Sequence, residues 1–279
     1  MKNKKIIGID LGGTNIRAGI VQDGDASGII SKRINANESV EEVLQQVFDI
    51  TDEIITNDIT AIGIGFPGLA VNGVAYDVYN IPSWKEVELQ HIMEQRYGIN
   101  VLINNDANCF SLGEFHFGKG KGVDSMIGLA VGTGLGSGVI LHKKLYTGKA
   151  CCAGEFGMIP YLDKYYEYYA SGQFFQNIYN VSGEVIYKKA KDGDADALQL
   201  YEEFGKHFGN AIKTILYSYD PELIVLGGSV RHAYPFFQQS MWQQIHTIEL
   251  KKGLENFTIE ISELENSAIL GAAALHYNV

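Results

Sequence analysis

The stretch from Ile7 to Val21, IGIDLGGTNIRAGIV, constrains this chain more than any other. An apolar run meets one acid, two glycines and a threonine, and a second apolar run follows. Ile6, Ile7, Ile9 and Leu11 predict a buried strand, and residues 16–21 predict its antiparallel partner. Gly12 and Gly13, without a Cβ, permit a turn that other residues resist. Backbone N–H groups in such a turn can converge on an anion, Thr14 adds a hydroxyl, and Asp10 at the strand end can hold Mg²⁺ directly or through water. An ordinary hairpin with a solvated aspartate has the same local pattern.

The pattern recurs. Residues 126–141 read MIGLAVGTGLGSGVIL, with Gly132, Thr133, Gly134 and Gly136 in the turn. Ala130 stands where Asp10 stands in the first copy, so one side alone can hold a metal. Two such hairpins predict two similar lobes facing a cleft, and the asymmetry favours a nucleotide clamp over a plain structural repeat.

A chain of 279 residues with 46% hydrophobic content is long and apolar enough for a sizeable core. The formal charge of −11 argues against a nucleic-acid footprint. Cys109, Cys151 and Cys152 make no disulfide framework and point to a reducing compartment. With no secretory signal and no 18-residue apolar run, the expectation is a cytoplasmic protein with no membrane segment.

Along the chain, a turn at 24–28 and a third strand at 29–34 follow the first hairpin. Ser39 and Glu42 form a capping box for a helix over 40–56. A strand over 60–66 ends in Phe66-Pro67-Gly68, a turn expected to present the Gly68 N–H to a ligand. A helix over 85–97 and a strand over 101–103 lead into Asn104-Asn105-Asp106-Ala107-Asn108, where a helix opens and runs to Phe117. Polar residues at that junction are where α/β proteins place chemistry, and Asp106 there is either a general base or an N-cap. Glu155, between two glycines, has the context of a turn residue. Glu167 sits among Tyr165, Tyr166, Tyr168 and Tyr169, as a sugar contact or as part of a packed surface. Two helices are expected within 173–191, a long one from Asp194 to Tyr219, and a strand over 222–226 ending in Gly227-Gly228. A helix over 235–250, a strand over 257–261 and a last helix over 267–277 close the chain. The small residues of that last helix, Gly271 to Ala274, allow close packing.

These segments resemble the ROK family of sugar kinases, on the actin/hexokinase-like (ribonuclease H-like) ATPase fold, an α/β class with two lobes and a central cleft. The resemblance rests on DLGGTN at 10–15, GFPG at 65–68, NDAN at 105–108, GTGLGSG at 132–138, AGEFG at 153–157, EYYASG at 167–172 and LGG at 226–228, in family order. It implies a lobe of residues 1–117 plus 264–279 and a second lobe of 118–263. It implies ATP and Mg²⁺ as cofactors. Asp10, Gly12, Gly13 and Thr14 would form the first phosphate loop with its metal acid. Gly132, Thr133 and Gly134 would form the second, and Gly227 and Gly228 the nucleotide-side turn. Asn105 and Asp106 would hold the sugar hydroxyls, with Asp106 as catalytic base. Glu155 and Glu167 would be further sugar ligands, and Gly68 and Asn80 would line the same pocket.

The implied reaction is phosphoryl transfer to a hexose 6-hydroxyl, of glucose or of N-acetylglucosamine or N-acetylmannosamine, in a homodimer whose lobes close on the substrates. The chain departs from the family at one place. Met158 follows Gly157 where many members have histidine, and residues 159–166 contain no Cys or His for the family's structural zinc cluster. The resemblance therefore implies no zinc, and it brings in a β-glucoside kinase or fructokinase as alternative substrate classes; a non-catalytic sugar sensor is a third. A repressor of the same family would carry a DNA-binding segment before the first loop. Five residues precede Ile6 here, so a kinase is expected.

Overall fold

The computed structural model describes residues 4–277; the outermost positions of the expected first lobe, 1–3 and 278–279, lie outside it. In chain order, β1 (Lys5–Leu11), β2 (Asn15–Gln22) and β3 (Asp25–Arg33) lead to α1 (Val40–Ile54) and β4 (Ile59–Phe66). A small meander follows, β5 (Leu69–Val71), β6 (Val74–Tyr76) and β7 (Glu86–Val87), then α2 (Leu89–Tyr97), β8 (Asn100–Asn105) and α3 (Asp106–Phe117). Next come β9 (Met126–Val131), β10 (Leu135–Leu141), β11 (Lys144–Tyr146), a 3-10 turn (Phe156–Met158), and the short pair β12 (Pro160–Tyr161) and β13 (Lys164–Tyr165). Helices α4 (Tyr166–Ala170), α5 (Phe174–Tyr179), α6 (Gly183–Lys191) and α7 (Ala195–Tyr219) precede β14 (Leu223–Gly227). Then α8 (Tyr234–Ile245), β15 (Thr258–Ile261) and α9 (Ser267–Ala274) complete the chain.

The first sheet has the order β3-β2-β1-β4-β8. The expected hairpin is present, with β1 antiparallel to β2 in the register Ile6↔Val21 to Leu11↔Ile16. Strands β4 and β8 add in parallel on the other side. Period-two alternation sorts β1 by face. Ile7, Ile9 and Leu11 join a core with Val47 and Ile50 of α1, while Ile6 packs with Ile269, Leu270 and Ala273 of α9. The capping box Ser39/Glu42 starts α1 as expected. β3 begins at Asp25 rather than after residue 28. Gly28 (φ +57°) is absorbed as a bulge, and the β2–β3 register shifts between Ala18 and Ile20. α2 begins later than residue 85 because Glu86 and Val87 pair with β6.

α9 lies at backbone contact with its neighbours. A Cβ on Gly8 would stand 2.1 Å from the Ile269 carbonyl oxygen, and one on Gly63 1.9 Å from that of Ala272. On the helix itself, a Cβ on Gly271 would stand 1.7 Å from the Cys109 carbonyl oxygen of α3.

The second sheet has the order β11-β10-β9-β14-β15, with β14 parallel to both β9 and β15. α7 starts where expected, the Asp194 side chain accepting from Ala197 N at 2.9 Å.

The chain forms two compact units. One comprises Met1–Asp124, Gly138–Ala153 and Glu263–Val279, the other Ser125–Ser137 and Gly154–Ser262. Residues 138–153, placed in the second lobe by sequence, group with the first unit, and residues 118–124 do likewise.

Candidate active site

In the first unit, β8 ends at Asn105 and α3 begins at Asp106. The cap of α3 is Asn105. Its Oδ1 accepts from Ala107 N at 2.8 Å and Asn108 N at 3.4 Å, and its Nδ2 donates to the Gly68 carbonyl at 3.2 Å. Sequence left Asp106 as base or cap; Asn105 takes the cap. Asp106 occupies the first helical position, where one carboxylate oxygen accepts from Ala107 N at 2.8 Å. Burial raises the Asp106 pKa above the usual carboxylate range. Asp10, at the end of β1, is raised to about 6, first by burial and then by the charge of Asp106, with Arg17 opposing. The acid at the start of the helix therefore bears on the acid at the end of the strand.

The turn after Asp10 is made by glycine for reasons of space. Neither Gly12 nor Gly13 has a positive φ, which corrects the conformational argument. A Cβ on Gly13 would lie 2.2 Å from the Cβ of Asn80, and one on Gly12 3.0 Å from the Asn15 carbonyl oxygen. Asn80 thus sits directly on the first glycine turn, and Thr14 follows, exposed. Gly68 differs from expectation: its N–H donates to the Phe66 carbonyl at 3.0 Å rather than facing a ligand. Its carbonyl, held by Asn105, links the GFPG and NDAN segments.

In the second unit, the turn Gly132-Thr133-Gly134 closes on itself through Gly132 N to the Gly134 carbonyl at 3.0 Å. The EYYASG segment braces it. Gly172 N donates to the Gly132 carbonyl at 2.7 Å, Ser171 Oγ to the Thr133 carbonyl at 2.8 Å, and Glu167 Oε2 accepts from Leu135 N at 2.8 Å. A Cβ on Gly134 would meet Glu167 Oε2 at 2.6 Å. Glu155 starts the 3-10 turn, its carbonyl accepting from Met158 N at 3.1 Å. The tyrosines around Glu167 pack on one another and on Tyr161, whose ring stacks on Tyr166 at 4.4 Å. Gly227 ends β14, and Gly228 (φ +74°) lies so close to Val131 that a Cβ would stand 2.3 Å from its carbonyl oxygen. This is a turn that does require glycine.

A cavity of about 610 Å³ opens beside these turns, lined by Gly132, Thr133, Ser229 and Val230 and by Tyr187 of α6 and Tyr201 of α7. Sequence reasoning missed the α6 and α7 contribution. Tyr201 repeats with the apolar face of α7, and that periodicity reads as core.

The structure thus brings Asp10, Gly12, Gly13, Thr14, Gly68, Asn80, Asn105 and Asp106 into the first unit. It brings Gly132, Thr133, Gly134, Glu155, Glu167, Gly227 and Gly228 into the second. Among the described residues there is no group of three or more His, Cys, Asp or Glu placed to hold a metal. Asp10 fits Mg²⁺ in the manner of sites that take one carboxylate and leave the other positions to water and phosphate. Cys151 is buried, its Sγ donating to Asn104 Oδ1 at 3.3 Å, while Cys152 is exposed.

The ROK family model matches residues 6–278. The chain belongs to the ROK family. Across 99% of its length it is 26% identical to the glucokinase of Thermotoga maritima, of which 98% is covered. The crystal structure of a ROK family glucokinase from Streptomyces griseus, in complex with glucose and AMPPNP, superimposes with a TM-score of 0.77 at 25% identity, over 97% of this chain and 98% of that one. The xylose repressor of Caldicellulosiruptor bescii is 25% identical over 97% of this chain and 77% of the repressor. The family thus includes kinases and repressors alike, and the mixed α/β sheets of this ROK protein are those of the actin/hexokinase-like ATPase fold.

Proposed function

We propose that this protein transfers the γ-phosphoryl group of ATP to the 6-hydroxyl of a hexose, glucose favoured or an N-acetylhexosamine. The observation that carries the reading is Asp106. It stands at the first turn of α3 with the capping role taken by Asn105, and burial raises its proton affinity. A carboxylate so placed is a stronger base than one in water. Asp106 accepts the proton of the sugar hydroxyl as that oxygen attacks phosphorus and ADP leaves. The family resemblance assigns Asn80, Asn105, Glu155 and Glu167 to the sugar, and Gly68 supports Asn105 through its carbonyl. The Gly12 and Gly132 N–H groups close their own turns, which leaves the N–H groups of Gly13 and Thr14, and of Thr133 and Gly134, to face phosphate, while Gly227 and Gly228 border the nucleoside. Asp10 would hold Mg²⁺, directly or through water, and the ion would supply neutralisation of phosphate charge.

The named relatives support the class. The T. maritima and S. griseus proteins are glucokinases, and a β-glucoside kinase of Listeria monocytogenes, 26% identical, keeps that acceptor as the second reading. A homodimer, a cytoplasmic location and the absence of structural zinc belong to the same proposal. They rest on the family resemblance and on cysteine usage.

The test is ADP release from MgATP over glucose, N-acetylglucosamine, N-acetylmannosamine, mannose, fructose and cellobiose, with Asp106→Asn alongside. Turnover on a hexose that falls about 10²- to 10⁴-fold in the variant, with sugar binding retained, is expected. Turnover on cellobiose alone would select the β-glucoside reading. Silence on every sugar with ATP still bound would overturn the kinase.

A further inference from the structure

The cavity of the second unit is walled by groups of two kinds. Thr133 and Ser229 offer backbone N–H groups and small hydroxyls, suited to phosphate. Phe175, Tyr187 and Tyr201 offer aromatic faces and two phenols, suited to a planar heterocycle. Tyr201 is 3% exposed. Its ring is fixed by Phe175 at 4.9 Å and Phe236 at 5.5 Å, so its hydroxyl has one position.

That hydroxyl makes no hydrogen bond to any described residue, nor does that of Tyr187. Burial raises the Tyr201 pKa, and the Tyr187 and Tyr201 rings both pack on Phe236, at 6.1 and 5.5 Å, which places the two phenols near each other. Several other tyrosines of this unit are partnered. Tyr166 Oη meets Thr214 Oγ1 at 2.7 Å, Tyr161 Oη meets His207 Nδ1 at 3.1 Å, and Tyr179 Oη bonds the Glu203 carboxylate. The side chain is buried but its hydroxyl oxygen is not sealed off: it opens onto the cavity, where a ligand can partner it in place of solvent.

Resting on the nucleotide reading above, we propose that the Tyr201 hydroxyl, with Tyr187 beside it, hydrogen-bonds the nucleobase of the bound nucleotide. The phenol pair then gives this site its affinity for the base, separately from the glycine turns that take the phosphates. A phenol both donates and accepts, so it can answer either polarity on a purine edge.

The test is calorimetric binding of ADP, 2′,3′-dideoxy-ADP and tripolyphosphate to wild type and Tyr201→Phe. ADP and its dideoxy analogue should each bind the variant about three- to tenfold more weakly. Tripolyphosphate, which lacks a base, should bind both proteins alike, and the melting temperature of the ligand-free variant should not fall, because the deleted hydroxyl bonds nothing in the protein. Equal ADP affinity in the two proteins overturns the inference and leaves the nucleotide site standing. A penalty that vanishes with the dideoxy analogue moves the contact to the ribose and overturns it as well. A lower melting temperature assigns the hydroxyl a structural role, with the same result. Failure of wild type to bind any ADP overturns the nucleotide reading itself.

Discussion

Asp10 and Asp106 are two acids that the native protein holds partly buried and close enough to interact, and this has a sign. A folded pKa of about 6 for Asp10, against the ordinary 3.8, means the folded state binds a proton that the unfolded state has released. The contribution to stability is therefore present at low pH and is lost as pH rises from about 4 through 6, on the order of 3 kcal/mol across that range. His207 and His276, whose pKa values are lowered by burial, act in the opposite direction near neutrality. The comparison that isolates Asp10 is thus wild type against Asp10→Asn in a chelator. The melting-temperature difference between the two should shift in favour of the variant between pH 5 and pH 7, and a constant difference would refute the assignment. Mg²⁺ with nucleotide should narrow that shift in wild type. A second expectation concerns Gly13. An alanine there cannot coexist with Asn80 in its present place, so Gly13→Ala should lower kcat and raise the sugar KM in steady-state kinetics, and unchanged kinetics would show that Asn80 gives way at no cost. At this scale the sequence named the positions but not always the cause. It pointed to Gly12 and Gly13 for backbone freedom, whereas the structure needs Gly12 for the close approach of the Asn15 carbonyl and Gly13 for that of a side chain 67 residues away in the chain, which no local pattern announces. Asp106 was ambiguous for a similar reason. Two adjacent residues, Asn105 and Asp106, both suit a helix start, and which one caps depends on backbone geometry.

At the scale of elements, α9 shows how packing positions chemistry. Its backbone touches β1 and β4 through Gly8 and Gly63, and its Gly271 touches α3 one turn beyond Asp106. A methyl at residue 271 must push α3 or α9 away. Gly271→Ala should cost about 3 kcal/mol, near the upper end of ordinary overpacking, read by denaturant unfolding. It should also lower kcat more than it changes the affinity for ADP, because the base moves with α3. Unchanged stability would show that the contact relaxes at little cost. The run of small residues at 271–274 announced close packing, though not its partners. Strands and helices with clean periodicity, such as β1, α1 and α7, were legible. The bulge at Gly28 was not, since a glycine within a polar run reads as a turn. Nor was the late start of α2, delayed by pairing between strands only two or three residues long.

For the whole molecule, the glycine hairpins exposed the two-part organisation, but the partition of residues 138–153 depends on tertiary contacts that sequence spacing does not register. The chain passes between the units four times, at 124/125, 137/138, 153/154 and 262/263. The first unit therefore cannot be cut out as a continuous piece. A fragment ending at residue 262 lacks α9 and leaves the Ile6, Gly8 and Gly63 face of the first sheet uncovered. It should aggregate or melt without cooperativity, and a soluble, cooperatively melting fragment would show that the sheet does not need its last helix. The same feature sets an order of birth. On the ribosome the residues of the second unit are all available once residue 262 has emerged, whereas the first unit, though its strands are made earliest, must wait for the final helix of the chain. For most of its synthesis the nascent protein thus carries an apolar sheet face with no permanent cover, and it is during translation, more than after it, that this protein should lean on the cell's chaperones.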